Sequence, residues 1–252
     1  MAKKGKGRTG RRGKKRFSGV FFSLVSFVVI CAAIIFGMSV FFEIENFEVT
    51  GAEKYTTDQV VLVSQLKTGD NLFFFHKFAI TDRLKSEMPY ISEVNIRRKL
   101  PNTIVFEVTE TSAVAYFVSG GSGVLIDESG KVLEKSPVLE HPDLAQIKNF
   151  EPKTAIVGEF FTVDDKISEK KLIELLKKLK EYDILKDISE INLQNLYNVS
   201  MRYDGRYTIV LGDMNDIERK MRLFTQVLPK VSDYVSASID LTGEKSAVVS
   251  AE

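Results

Sequence analysis

Ser64 and Lys67 stand three residues apart, the spacing that a serine nucleophile and its lysine partner take in penicillin-binding enzymes. Lys67-Thr68-Gly69 spells a second motif of the same enzymes. Here the two motifs share Lys67, whereas the enzymes carry them far apart on different elements, and no S-x-N lies usefully between them. A helix end followed by a glycine stop explains this stretch more simply. Zinc hydrolysis needs three protein ligands and an open position, and the chain offers only His76 and His141, neither with a second histidine at ligand spacing. Ser122 sits among Gly120, Gly121 and Gly123 without the G-x-S-x-G order, so a tight hairpin accounts for those glycines. Carboxylates are plentiful enough for a glycosidase pair, but no tryptophan is present to stack against a sugar. The expectation is no catalytic residue, no metal ligand and no cofactor.

The elements that would position any site begin with the strongest pattern in the chain. Nine lysines and arginines occupy the first 16 residues, an uncharged and mostly apolar run extends from Phe17 to Phe42, and Glu43, Glu45 and Glu48 follow. As a helix the run would span roughly 39 Å, beyond the ~30 Å hydrocarbon core. Positive charge beside a span resists translocation, so residues 1–16 are expected in the cytoplasm, 17–42 in the membrane and the rest outside. A cleaved signal peptide has a shorter apolar core, and a cut after Ala32-Ala33 would leave an apolar N-terminus. A soluble core helix would show a polar face. The basic arm beside a span suits anionic lipid rather than nucleic acid.

Charge is distributed unevenly. All 34 acidic residues follow the span, against 26 of the 35 basic ones, so the exported part carries a net charge of −8. That excludes a nucleic-acid partner, which would need a clustered basic surface. At about 210 residues the exported part is long enough for two cores. The single cysteine, Cys31, lies in the span and leaves no disulfide framework, as fits a bacterial envelope protein. The sequon Asn198-Val199-Ser200 is read as chance.

Local periodicity then divides the exported part in two. From about 43 to 111 the order is strand (Phe47, Val49, closed by Gly51), helix, helix, strand, strand. Thr56 to Gln59 fits a capping box ahead of Val60, Val61, Val63 and Leu66. Phe78, Ile80, Leu84 and Met88 are expected on one face of the second helix, which Pro89 ends. Val94-x-Ile96 and Ile104-x-Phe106-x-Val108 alternate on either side of the turn Pro101-Asn102. The block reads as a small α+β domain with both helices on one face of a three-stranded sheet.

From 112 to 252 strands dominate. They are expected at 114–118, 124–126, 131–134, 188–193, 199–203 and 207–211, with Asp204-Gly205 as a type I′ turn signal. Residues 141–162, with Pro142, Pro152 and Gly158, read as a long connection. Residues 168–185 form a charged amphipathic helix with Leu172, Leu175, Leu176 and Leu179 on its apolar stripe. Asn215 to Glu218 matches a capping box for a helix burying Ile217, Met221, Phe224, Leu228 and Val231. A last strand opens at Ser238–Leu241 and is expected to resume at Ala247–Val249. The fold class is α+β: a membrane helix, a small domain and a β-rich domain with helices.

Several local signatures occur in an order that resembles the bacterial cell-division family DivIB/FtsQ. They are Val49-Thr50-Gly51, Gly69, Met88-Pro89, Ile96-x-Arg98-x-x-Pro101, and Ile104-x-Phe106-x-Val108-x-Glu110. The run from Leu125 to Leu133, then Ile209 to Gly212, Lys220 with Leu223, and Ile239-Asp240-Leu241 continue the order. Thr111, where the family often has Arg, and His141-Pro142-Asp143-Leu144 depart from the pattern. The resemblance implies a POTRA-type domain at 43–111, a β-rich domain at 112–252, and a non-enzymatic role at the division septum. It also implies contact with FtsL-like and DivIC/FtsB-like bitopic proteins and with the septal peptidoglycan synthase complex.

In that family a small partner is thought to add a strand beside the final strand of the β domain. An unpaired edge captures a partner through backbone hydrogen bonds, and the matching stretch gives Thr242, Lys245, Ala247, Val248 and Val249 as contacts. The basic cluster Arg97-Arg98-Lys99 is either a solvated strand end or a contact, Arg97 and Arg98 included, for an acidic partner or anionic lipid. The alternative class is a membrane-anchored cell-wall-modifying enzyme or its inhibitor. A POTRA module leading into a membrane barrel is disfavoured because the distal half carries two amphipathic helices rather than lipid-facing strands recurring at about ten residues.

Overall fold

The computed structural model describes residues 15–193, 197–231, 236–244 and 246–251. Helix α1 (Lys15–Phe41) runs for 27 residues with no acidic or basic side chain in its last turn. Its segment Val20–Met38 is long and apolar enough to cross a bilayer and none of it is buried against the protein. Such a surface has no stable place in water, so lipid is the medium it fits.

After α1 come β1 (Asn46–Thr50), α2 (Thr57–Ser64), α3 (Lys77–Glu87), β2 (Ile91–Lys99) and β3 (Thr103–Glu110), in the order the periodicity predicts. The capping box forms: the Gln59 N–H donates to Thr56 Oγ1 at 3.3 Å, and the Thr56 N–H donates to Gln59 Oε1 at 2.9 Å. Two orphan donors of the first turn are thereby satisfied. The sheet order is β1-β3-β2, with β1 parallel and β2 antiparallel to β3. Two intervening helices give the chain the length to return in parallel, and a tight turn suffices for the antiparallel pair. Val60, Leu72, Ile80, Leu84, Met88, Ile96, Ile104 and Phe106 fill the core. Gly51 has φ +80°, and a Cβ there would lie 2.1 Å from the Val108 carbonyl oxygen, so only glycine fits. Phe78 corrects the expected helix face. Ile80, Leu84 and Met88 are buried, but Phe78 is 87% exposed.

The rest of the described chain forms β4 (Ala115–Ser119), β5 (Ser122–Ile126), β6 (Val132–Ser136), β7 (Ala145–Lys148), α4 (Lys166–Glu181), a 3-10 turn (Leu185–Asp187), β8 (Ile188–Leu193), β9 (Val199–Tyr203), β10 (Tyr207–Gly212), α5 (Ile217–Val231), β11 (Ala237–Asp240) and β12 (Val248–Ala251). They build a nine-stranded sheet in the order β12-β11-β10-β9-β8-β7-β4-β5-β6. Leu172, Leu175, Leu176 and Leu179 of α4, and Ile217, Met221, Phe224 and Val231 of α5, are buried with alternate residues of the strands. Truncating such a leucine to alanine costs roughly 2–5 kcal/mol. Leu228 is only partly buried against the same core.

Three further expectations change. The connection expected at 141–162 contains β7, which lies in the middle of the sheet, parallel to both β4 and β8. Asn215 does not cap α5 with Glu218. Its backbone N–H and side-chain amide both donate to the Asp213 carboxylate, and Glu218 instead accepts from Tyr182 and pairs with Lys178. The final strand does not resume in its own direction: β12 turns back and pairs antiparallel with β11, Ile239 opposite Val249. The turn signal Asp204-Gly205 holds, with φ of 51° and 64° and the Arg206 N–H donating to the Tyr203 carbonyl at 3.1 Å.

The two cores meet at a small polar contact. Lys131 is 5% exposed, and its ammonium donates to the Ile91 carbonyl at 2.8 Å. Burial pulls its pKa down to about 8, opposed by the nearby Asp127 carboxylate. The Tyr90 hydroxyl donates to Glu134 at 3.1 Å; burial and that carboxylate push the Tyr90 pKa up to about 12.

Candidate functional site

The two outermost strands of the large sheet are treated differently by the rest of the chain. The outer side of β6 is covered: the Val132 N–H donates to the Glu159 carbonyl at 2.8 Å, and the Gly158 N–H donates to the Val132 carbonyl at 2.9 Å. Beside β12, among the described residues, there is β11 on one side and no strand on the other. A strand with an unpaired side presents a row of backbone donors and acceptors to whatever can complete the ladder.

The hairpin that carries this edge is held in place by side chains. The Leu241 N–H donates to the Val210 carbonyl at 2.9 Å, extending the parallel β10–β11 pairing by one bond. The Thr242 N–H donates to the Asp240 carboxylate at 2.8 Å, an Asx-type turn. Arg219 of α5 donates through Nη1 to the carbonyls of Gly243 and Glu244, at 2.6 and 3.2 Å, which ties the turn to the helix. One residue further along α5, Lys220 is 2% exposed. It donates to the Leu211 carbonyl and to the Asp213 carbonyl and carboxylate, at 2.8, 2.6 and 2.6 Å. The Lys220 ammonium holds the Asp213 carboxyl below the usual range. Lys220 thus terminates β10 at the level where β11 departs towards its turn. Sequence reading singled out Lys220 only through its place in a family pattern and missed Arg219, since a lone arginine on a helix carries no local signal of its partner.

Among the expected contacts, Val248 is 61% exposed. Ala247 and Val249 turn the other way and are half-buried against the sheet core. Thr242 is exposed in the turn. Lys245 lies outside the described residues. Val248 shares a face with Asp240, Val210 and Ser200, which register opposite one another across four strands. What the arrangement can do is offer backbone hydrogen bonds at the edge, with a small apolar side chain above it to sense a partner's side chains.

Arg97 and Arg98 do not act together. Arg97 lies on the open side of the small sheet and pairs with Glu107 at 2.6 Å, its side chain 66% exposed. Arg98 points the other way: Nε donates to the Leu72 carbonyl at 2.7 Å, and the guanidinium lies over the rings of Phe73 and Phe75. Lys99 pairs with Glu48 at 2.7 Å. Alternation along a strand sends neighbours to opposite faces, so a basic triplet in sequence becomes three separate contacts.

The groups that suggested chemistry have structural roles. Ser64 is buried, donates to the Val61 carbonyl at 2.7 Å and accepts from the Leu66 N–H, ending α2. His141 sets Nε2 3.1 Å from the Val138 carbonyl and packs its ring edge-on to Tyr116. Among the described residues, no three His, Cys, Asp or Glu side chains come together as a metal site.

Residues 42–111 match the family model of the POTRA domain, FtsQ-type, and residues 115–242 match that of the cell division protein FtsQ/DivIB C-terminal region. The chain is similar to cell division protein DivIB of Clostridium tetani, at 27% identity over 191 residues, 75% of this chain and 71% of that protein. It is also similar to DivIB of Clostridium botulinum, at 27% identity over 223 residues, 87% of this chain and 84% of that protein. A solved structure of the major extracytoplasmic domain of DivIB from Geobacillus stearothermophilus aligns at 15% identity with a TM-score of 0.33, covering 47% of this chain and 92% of that one.

Proposed function

The chain belongs to the FtsQ/DivIB family of cell division proteins, and on that premise we propose that it is a non-enzymatic scaffold of the division septum. Its basic arm stays in the cytoplasm, α1 crosses the membrane, and both folded regions lie outside. The β11–β12 hairpin captures a strand of a small bitopic division protein, of the FtsL or DivIC/FtsB kind, and so links it to septal peptidoglycan synthesis. The observation that carries this reading is the contrast between edges: β6 is covered by its own chain, whereas among the described residues β12 has no strand beyond it. Strand addition needs only such an edge, because the affinity comes from backbone hydrogen bonds and the specificity from alternate side chains.

Binding of the purified bitopic partner to the full chain in nanodiscs tests this. Val248→Pro and Val249→Pro remove successive N–H donors, so one of them strikes the outward row in either register. That variant is expected to weaken binding about tenfold or more, in keeping with loss of a ladder bond and local distortion. Truncation after Leu241 removes β12 altogether. Equal affinity in all three variants would sink the strand-capture reading. Fusing a fluorescent tag to Met1 tests the septal assignment separately, and an even envelope signal in dividing cells would count against it.

A further inference from the structure

The loop that joins α2 to α3 carries Phe73, Phe74, Phe75 and, at the start of α3, Phe78. Phe74 is 64% exposed and Phe78 87% exposed, while Phe73 and Phe75 lie half-buried under Arg98. Two large aromatic rings offered to water within five residues are costly, at about 1.5–3 kcal/mol of unrealised burial each. The loop is bonded to the end of α1. Asn71 Nδ2 donates to the Met38 carbonyl at 2.9 Å, the Leu72 N–H donates to the Phe42 carbonyl at 2.8 Å, and the rings of Phe42 and Phe73 meet edge-on at 5.2 Å. The 27 residues of α1 extend about 40 Å against a hydrocarbon core of ~30 Å, so its last turns emerge at the level of the headgroups. Whatever is bonded to Met38 and Phe42 is held at that level too.

We infer that this loop is a membrane-interface anchor: Phe74 and Phe78 enter the boundary between headgroups and acyl chains beside the exit point of α1. The occupant of the patch is lipid rather than protein because the patch is continuous with the helix that lipid already surrounds. Arg98 fixes the base of the loop through its bond to the Leu72 carbonyl. Lys77, the first residue of α3 and between Phe74 and Phe78, supplies a cation at headgroup depth, where anionic phosphates favour it. On the opposite side of the emerging chain, Leu100 is 60% exposed in the β2–β3 turn, whose Asn102 carbonyl accepts from the Glu45 N–H at 2.8 Å. Contacts on both sides of the exit point restrain the tilt of the small domain against the bilayer, which a single flexible tether would not do. The inference rests on α1 crossing the membrane.

The chain contains no tryptophan, so any one introduced reports alone. Full-length Phe74→Trp, Phe78→Trp, Phe27→Trp and Val138→Trp variants are reconstituted in vesicles containing lipids brominated at a shallow or a deep acyl position. Interfacial side chains reach roughly 5–10 Å into the headgroup and acyl boundary, so shallow bromines are expected to quench Phe74→Trp and Phe78→Trp about twofold. Phe27→Trp is expected to respond to the deep bromines, and Val138→Trp, in the distal region, to neither. A blue-shifted emission at 74 and 78 without bromine quenching would mean that protein covers the patch, and overturns the inference. So would water-like emission at both sites while Phe27→Trp is quenched, a result that leaves the span itself standing. An unquenched Phe27→Trp overturns the span and the anchor together.

Discussion

At one edge of the nine-stranded sheet, β6 carries exposed Glu134 and Lys135 and exchanges backbone hydrogen bonds with residues 158–159. At the other, the strand Val248-Val249-Ser250-Ala251 carries no charge and no proline, and no strand lies beyond it among the described residues. Charge and cover are two of the common ways to stop a sheet from growing. The protein applies both to β6 and neither to β12. An edge with neither is either a hazard or a docking place, and the proposed strand capture uses it as the second.

The covered edge depends on one backbone position, so the largest effect is expected there. Gly158 has φ +88°, and a Cβ would lie 2.0 Å from the Ser86 carbonyl oxygen. Gly158→Val should therefore destabilise the fragment 43–252 by about 2–4 kcal/mol, read as a lower urea midpoint. It should also uncover β6 and increase self-association. An unchanged midpoint would show that the 158–159 segment is not what secures this edge.

Next in size is a pH effect at the same end of the sheet. The Lys131 pKa is near 8 in the folded protein against an ordinary 10.5. Below pH 8 the ammonium is charged in both states and the full cost of burying it is present. Between pH 8 and 10.5 the unfolded chain binds more protons than the folded one, so this group makes stability rise with pH, by up to about 3 kcal/mol. Lys131→Met should lack that rise. Unfolding midpoints of both proteins at pH 7.5 and pH 10 give the double difference, and parallel pH profiles would refute the assignment.

The smallest effect is expected at the open edge. Arg219→Ala removes two bonds to the β11–β12 turn, worth about 1 kcal/mol together because the site is exposed and water competes. Global stability should hardly move, but amide exchange in β12 should quicken about fivefold, the equivalent of that energy, with β6 amides unaffected. Equal acceleration at both edges would erase the contrast.

Much of the fold was legible because it is written in short-range chemistry. The capping box at Thr56, the leucine stripe of α4 and the positive-φ turn at Asp204-Gly205 each depend on residues no more than a few positions apart. Strand β7 was not legible. Ala145-Gln146-Ile147-Lys148 shows one alternation between Pro142 and Pro152, and its partners in β4 and β8 lie 30 and 44 positions away. Asn215 fits a cap by residue type, but its Oδ1, the oxygen a cap would use, accepts from Lys171 Nζ at 2.8 Å, a partner 44 positions away. Phe78 precedes Ile80 by two residues, roughly 200° round the helix, so it points away from the face that Ile80 and Leu84 bury and stays exposed.

The sequence alone determined the membrane-length helix, the strand-helix-helix-strand-strand order, the stripes of α4 and α5 and the α+β class, because these follow from the pattern of apolar side chains along one chain. Only the tertiary structure decided that β12 returns antiparallel with no described strand on its far side, that Arg98 turns inward while Arg97 turns outward, and that the Phe73–Phe78 loop is bonded to the end of α1. Backbone donors and acceptors are the same at every residue. Which of them pair across long sequence distances is settled by packing, and no local pattern records it.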